Sequence, residues 1–338
     1  MMPWRWSKLM LTGLLAASVA IAGCNDAGET TDPVGGEDPG VVEQPPEDPV
    51  DEETPEEKLA QEWEALKEEA TEAAELIAFL DARLSEAEQE QADAMVRDVF
   101  AFYEQDLSYS QEQFFSQDLQ PVLINVQLPV TEDNVSEVPD ETVRELILSK
   151  LKGNYTFITT EGSFFPIVDY GAFQAYEDTL SYDLVAYINL KAMESDEISA
   201  SDGGLIVGWD ELARRLLTAE DYLKLYAGSP EADEVRDIYL NDYLPKYMYG
   251  LNNTPNYDFE TMQVTAEAKA SYEATASEHP DSVTGQLVQG FLDVLVETEG
   301  QIFTGTFEEP TEVPEVKSYR DNLEKEFDNL MAQQAEIS

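Results

Sequence analysis

The sequence predicts a mainly α fold, a helical bundle or helical-hairpin array carrying one small β-hairpin. Three observations point there. Apolar residues recur at steps of four and three from Leu59 to Ala87. Later apolar runs keep helical spacing and open on Ser, Thr, Asp or Pro. Residues 155–170 break that pattern and carry a glycine turn.

Taken in order, Thr54-Pro55-Glu56-Glu57 supplies an N-cap, a proline at the first helical position and a capping-box glutamate. Leu59, Trp63, Leu66, Ala70, Ala73, Ile77, Leu80, Leu84 and Ala87 then follow as an unbroken heptad seam. Such a seam suits either a coiled-coil dimer or one long helix inside a bundle. Leu76 and Phe79 widen the apolar face and three seam positions are Ala, which favours the bundle helix. A second helix is expected over 93–104, with Val96, Val99, Phe100 and Tyr103 on one side. Residues 121–130 are β-branched and bounded by proline, so they read as extended or irregular. Pro139 opens a helix with Val143, Leu146, Ile147 and Leu151, and Gly153 ends it. The hairpin turns at Glu161-Gly162. Leu180, Leu184, Tyr187 and Ile188 mark the next helix, and Leu212, Leu216, Leu223 and Tyr226 a pair, with 218–221 as an internal cap. Gly228-Ser229-Pro230 and Pro280-Asp281-Ser282 precede two similar helices spaced about fifty residues apart; two copies suggest a helical-hairpin repeat without making a solenoid. Pro314 opens a last helix with Val316, Tyr319, Leu323, Phe327 and Leu330 inward.

Ahead of this folded region, 58–338, stand two segments of another kind. Residues 1–23 read as a signal peptide: Arg5 and Lys8 make the positive start, and the apolar run after them is shorter than the roughly 20 residues of a membrane span. Its end, Ile21-Ala22-Gly23-Cys24, resembles the lipobox of bacterial lipoproteins, which implies lipid attachment at Cys24. The alternative is a secreted protein with a stray thiol, but the only cysteine of the chain sits at the lipobox position. Residues 24–57 read as an acidic Pro/Gly-rich disordered tether. From Asn25 to Glu57 there are 13 acids, six Pro, four Gly and no Lys or Arg, and such a segment cannot offset its ordering entropy by burial.

The whole chain has 71 Asp and Glu against 19 Lys and Arg, a net charge of −52. That excludes a nucleic-acid partner, which needs a basic stripe to displace counterions. The folded region alone holds 58 acids and 17 bases, net −41, so the acidity coats the domain. Abundant carboxylates with little lysine suit a protein bathed in high salt or alkaline medium, where repulsion is screened or lysines lose charge.

Chemistry-bearing motifs are few. With one His and one Cys, zinc sites, disulfides and His-based triads are set aside, and no cofactor is expected. His279 reads as a helix C-terminal residue. Residues 199–210 resemble a calcium loop only in Gly204 and Ile206; Ser199, Ser201 and Gly203 supply almost no anionic ligands, so no metal site is expected. Carboxylate pairs are too many to single one out. The candidate binding set is aromatic: Tyr239, Tyr243 and Tyr247 at a step of four, with Pro245 bending that helix, then Tyr249, Asn252, Asn253 and Tyr257 in a turn-rich loop. Aromatic faces beside amides stack on and hydrogen-bond to sugar rings or extended peptides, whereas a tyrosine stripe on a helix more often packs in a core.

The segments Gly162-Ser-Phe-Phe-Pro-Ile-Val-Asp-Tyr170, Gly208-Trp-Asp-Glu-Leu212 and Gly250-Leu-Asn-Asn-Thr-Pro255 resemble surface lipoproteins of Bacillus-type bacteria. The resemblance implies a lipid anchor and a helical ectodomain, and no activity. The expected function is that of a non-catalytic binding or interaction module, held to the outer face of the cell membrane and contacting cell-wall glycan or an envelope protein. A carboxylate-dependent cell-wall hydrolase and a solute-binding lipoprotein stay open as alternatives, and the oligomeric state is open.

Overall fold

The computed structural model describes residues 53–115, 119–306 and 308–337. The stretches read as signal peptide and tether, with Cys24, fall in 1–57, of which 1–52 lie outside the described residues. Helix α1 (Pro55–Glu69) starts on the expected capping box: Glu57 N–H donates to Thr54 Oγ1 at 3.1 Å, and Thr54 N–H donates to Glu57 Oε2 at 2.8 Å. The single long helix predicted from the heptad seam is two helices. Glu75 Oε1 accepts from the N–H groups of Thr71 and Glu72 at 2.9 and 3.1 Å, building a new helix N-terminus that opens α2 (Ala73–Arg83). The seam thereby folds back on itself. Leu59, Trp63, Ile77, Leu80 and Leu84 stay buried within one chain. Helix α3 (Gln89–Phe114) is longer than expected at both ends, and Asp93 inside it accepts from Ser181 N–H at 2.9 Å. Helix α4 (Gln120–Leu123) replaces the start of the stretch read as extended. Helix α5 (Glu141–Leu151) is capped by Asp140.

The predicted hairpin is present. Strands β1 (Tyr155–Thr160) and β2 (Ser163–Val168) pair antiparallel around Glu161 and Gly162, whose φ values of 51° and 70° both lie in the left-handed region, as a two-residue turn of matching twist needs. Among the described residues, three more hairpins exist that the sequence reading missed: β3 (Ala200–Ser201) with β4 (Gly204–Leu205), β5 (Gly250–Leu251) with β6 (Thr254–Pro255), and β7 (Phe303–Gly305) with β8 (Pro310–Glu312). Strands of two or three residues are too short to display a period of two. The first three hairpins touch in a row: Thr160 Oγ1 lies 2.5 Å from Ser201 Oγ, and Asn253 N–H donates to Gly203 O at 2.8 Å.

The remaining helices are α6 (Tyr182–Asp196), α7 (Trp209–Leu225), α8 (Ala232–Asp237), α9 (Leu244–Tyr249), α10 (Ala266–Glu278), α11 (Val283–Glu297), α12 (Pro314–Asp321) and α13 (Leu323–Ile337). α8 runs into α9 through a π-helical turn, Ile238–Tyr243. Helices α6, α8 and α11 start at 182, 232 and 283, and hairpins follow at 200, 250 and 303. A spacing of about fifty residues thus recurs among these helix and hairpin starts. The pair of helices expected around 212–226 is one helix, α7; Thr218 Oγ1 donates back to Arg214 O at 2.9 Å instead of starting a new turn. The last helix divides at Asn322. His279 is the C-cap of α10.

α7 packs against α6, α8, α10 and α11 and forms the spine of the main core. Two charged side chains are buried along it. Arg215, 1% exposed, donates to Glu194 at 2.7 Å, Glu211 at 2.8 Å and Glu197 O at 2.8 Å. Glu220 accepts from the backbone N–H groups of Val283 and Thr284, both at 2.7 Å, and pairs with Lys224. Its carboxylate caps α11, where the helix dipole favours a negative charge. A smaller apolar cluster, including Phe114, Val143, Phe157 and Phe164, sits under the first hairpin.

Candidate functional site

The tyrosine stripe divides. Tyr239 and Tyr247 are fully buried: Tyr239 Oη lies 2.8 Å from Thr284 Oγ1, and Tyr247 Oη lies 2.8 Å from Thr275 Oγ1 and 3.2 Å from Ser271 Oγ. Tyr247 also stacks edge-on against Tyr272 at 5.2 Å. These two are core residues with satisfied hydroxyls, so they cannot present a face to a ligand. Tyr243 is buried and borders a separate cleft on the π-helical turn. Asn253 is spent on the hairpin row, its amide donating to Asp202 O at 2.5 Å.

Tyr249, Asn252 and Tyr257 do come together. They line a cleft of about 450 Å³ with Phe259, Phe303, Glu312 and Arg320. The chain makes this cleft by a tight reversal after α9. Gly250 has φ 69° and ψ −161°, and a Cβ there would lie 2.3 Å from Thr254 O, so only glycine fits. Asn256, itself buried, donates to Met248 O at 2.6 Å and locks the returning strand to the helix end. Asp258 Oδ1 accepts from Glu260 N–H at 3.0 Å and Thr261 N–H at 2.8 Å, closing the loop that carries Phe259. These backbone donors, Thr261 first, hold the Asp258 carboxyl below its ordinary range.

Three aromatic rings form one wall. Tyr257 lies 4.7 Å from Phe303 and 5.4 Å from Phe259, and Phe259 is 40% exposed. Polar groups complete the lining, and Glu312 is the cross-strand partner of Phe303. Arg320 donates to Glu312 Oε2 at 2.7 Å and lies 5.8 Å from the Tyr249 ring centre. Tyr249 packs edge-on against Phe291, and burial pushes its phenol well above its usual range. Its Oη is buried without a hydrogen-bond partner. The arrangement offers apolar ring faces, an amide, a guanidinium and a carboxylate to one small volume.

Sequence reading found the half of this cleft that lies in one loop. Phe303, Glu312 and Arg320 come from 46 or more residues further along. The strand that carries Phe303 is three residues long and has no alternation to mark it. Among the described residues, no group of three or more His, Cys, Asp or Glu is placed to hold a metal ion, and no helix is long and apolar enough to cross a membrane. Neither a family model, nor a curated protein, nor a solved structure matches this chain.

Proposed function

We propose that this chain is a lipid-anchored, non-catalytic binding module on the outer face of a membrane, and that its aromatic cleft holds a sugar ring of an envelope glycan. The observation that carries the reading is a cleft of about 450 Å³ lined together by the rings of Tyr257, Phe259 and Phe303 and by the polar groups of Asn252, Arg320 and Glu312. Sugar rings bring C–H faces that stack on aromatics and hydroxyls that seek amides and charged groups. The anchor rests on Ile21-Ala22-Gly23-Cys24.

Binding suits the cleft better than hydrolysis. Its lining contains one carboxylate, Glu312, engaged by Arg320, whereas glycoside hydrolysis ordinarily uses two flanking carboxyl groups. A sedimentation assay of the purified chain on isolated cell wall, followed by a reducing-end assay of the supernatant, tests both. Retention without new reducing ends is expected. Passage through the wall material unbound contradicts the reading, and steady release of reducing ends replaces it with the hydrolase.

A further inference from the structure

A second cleft, apart from the aromatic one, lies against the π-helical turn. Leu244 N–H reaches back five residues to Tyr239 O, widening the helix immediately before Pro245, which has no N–H and whose ring would crowd the Asn241 carbonyl. The widened turn presents Ile238, Asp242 and Tyr243 to a cleft of about 410 Å³. Facing it are Ile167 and Val168 of the first hairpin and Leu190, Lys191, Glu194 and Ile198 of α6 and the loop after it. The lining is chiefly apolar, and its volume falls within the range of small-molecule sites.

The charges at its edge decide what it can hold. Lys191 is paired with Glu234 at 2.6 Å, Glu194 with Arg215 at 2.7 Å, and Asp242 with Lys246 at 2.8 Å. Asp237 differs: its carboxylate accepts an amide hydrogen from Asn241 at 2.7 Å and has no cationic partner among the described residues. The one lysine at the cleft is thus already neutralised, and the uncompensated charge is negative, within a domain of net −41. An anionic amphiphile such as a fatty acid meets repulsion there. We propose that this cleft binds a small amphiphile with an apolar body and a single ammonium group, the body seated on Ile167, Val168, Leu190, Ile198 and Ile238 and the ammonium paired with Asp237.

Calorimetric titration of the full chain with octylammonium, octanol and octanoate, each kept below its micelle concentration, tests this. Octylammonium is expected to bind saturably at one site, with octanol about tenfold weaker and octanoate undetectable. Asp237→Asn should bring octylammonium down to the octanol level and leave octanol unchanged. Ile198→Trp, which fills the cleft from a partly exposed position, should abolish both; Ile238→Trp serves if the first variant does not fold. Octylammonium binding that survives the filled cleft is adsorption to the acidic surface and overturns the site. A preference unchanged by Asp237→Asn overturns the charge assignment, and absence of saturable binding overturns the whole proposal.

Discussion

The rings of Tyr257 and Phe303 meet at 4.7 Å with their planes 48° apart. One follows the third hairpin and the other opens the fourth, so this contact joins segments 46 residues apart. The aromatic cleft exists because these two segments pack together. A two-stranded hairpin is too small to be stable alone, and packing against its surroundings holds it. A site at such a junction is built from side chains far apart in the chain and close in space.

Tyr247 separates the core role of the stripe from a binding role. Tyr247→Phe removes one hydroxyl shared with Thr275 and Ser271 and is expected to cost about 1–2 kcal/mol. Tyr247→Ala opens a cavity beside Tyr272 and should cost about 3–5 kcal/mol. Urea unfolding of both variants measures this. Equal costs would place Tyr247 outside the packed core.

Glu220 ties the spine helix to α11. Glu220→Ala leaves the Val283 and Thr284 N–H groups buried without acceptors and strips Lys224 of its partner. A loss of about 3–5 kcal/mol is expected in chemical denaturation. Lys224→Met should cost less, since the backbone caps survive. The reverse order would show that the ion pair, not the cap, holds α11 in place.

How much of this was readable beforehand follows from the range of each interaction. The capping box of Thr54 and Glu57 and the turn of Glu161 and Gly162 are local, and the sequence declares them. The break inside the heptad seam is local too, yet Glu75 looks like any exposed helix residue until its carboxylate is seen bonding backwards to Thr71 and Glu72. Glu220 was hidden among many acids because its partners lie 63 and 64 positions away. For the same reason the loop half of the cleft, Tyr249, Asn252 and Tyr257, was legible and the Phe303, Glu312 and Arg320 half was not. Helical spacing marked the tyrosine stripe correctly as periodic, but a period says which residues share a face, not whether that face meets water.

Glu211 gives the pH dependence of the spine a sign. Hydrogen bonds from Arg214, and secondarily from Arg215, hold its carboxyl below the usual 4.5. A lowered folded-state value means that the stabilisation is present above about pH 4.5 and is lost as pH falls through the folded value. Glu211→Gln should therefore be less stable than wild type at pH 7, with the deficit shrinking on acidification below 4.5. Melting curves between pH 7 and pH 3 check this. A deficit independent of pH would mean that shape, not charge, fixes Arg215.

The surplus of carboxylates predicts a response to salt. Screening shortens the range of repulsion from about 10 Å at 0.1 M to about 3 Å at 1 M. The melting temperature should rise as sodium chloride is added from low ionic strength, even though surface ion pairs such as Arg236 with Asp328 weaken. A flat or falling melting temperature would mean that these pairs outweigh the net repulsion.

The central claim is that the aromatic wall of the cleft holds a sugar ring, and Tyr257→Ala tests it most directly. Tyr257 is partly exposed; its ring meets Phe259 and Phe303 of the cleft, and it packs on the edge of the main core. Soluble cell-wall glycan fragments titrated calorimetrically into wild type should bind saturably. In the variant the affinity should fall at least about tenfold, near 1.4 kcal/mol, with the melting temperature lowered by only a few degrees. Undiminished glycan affinity in a folded Tyr257→Ala variant, or none in wild type, would contradict the account.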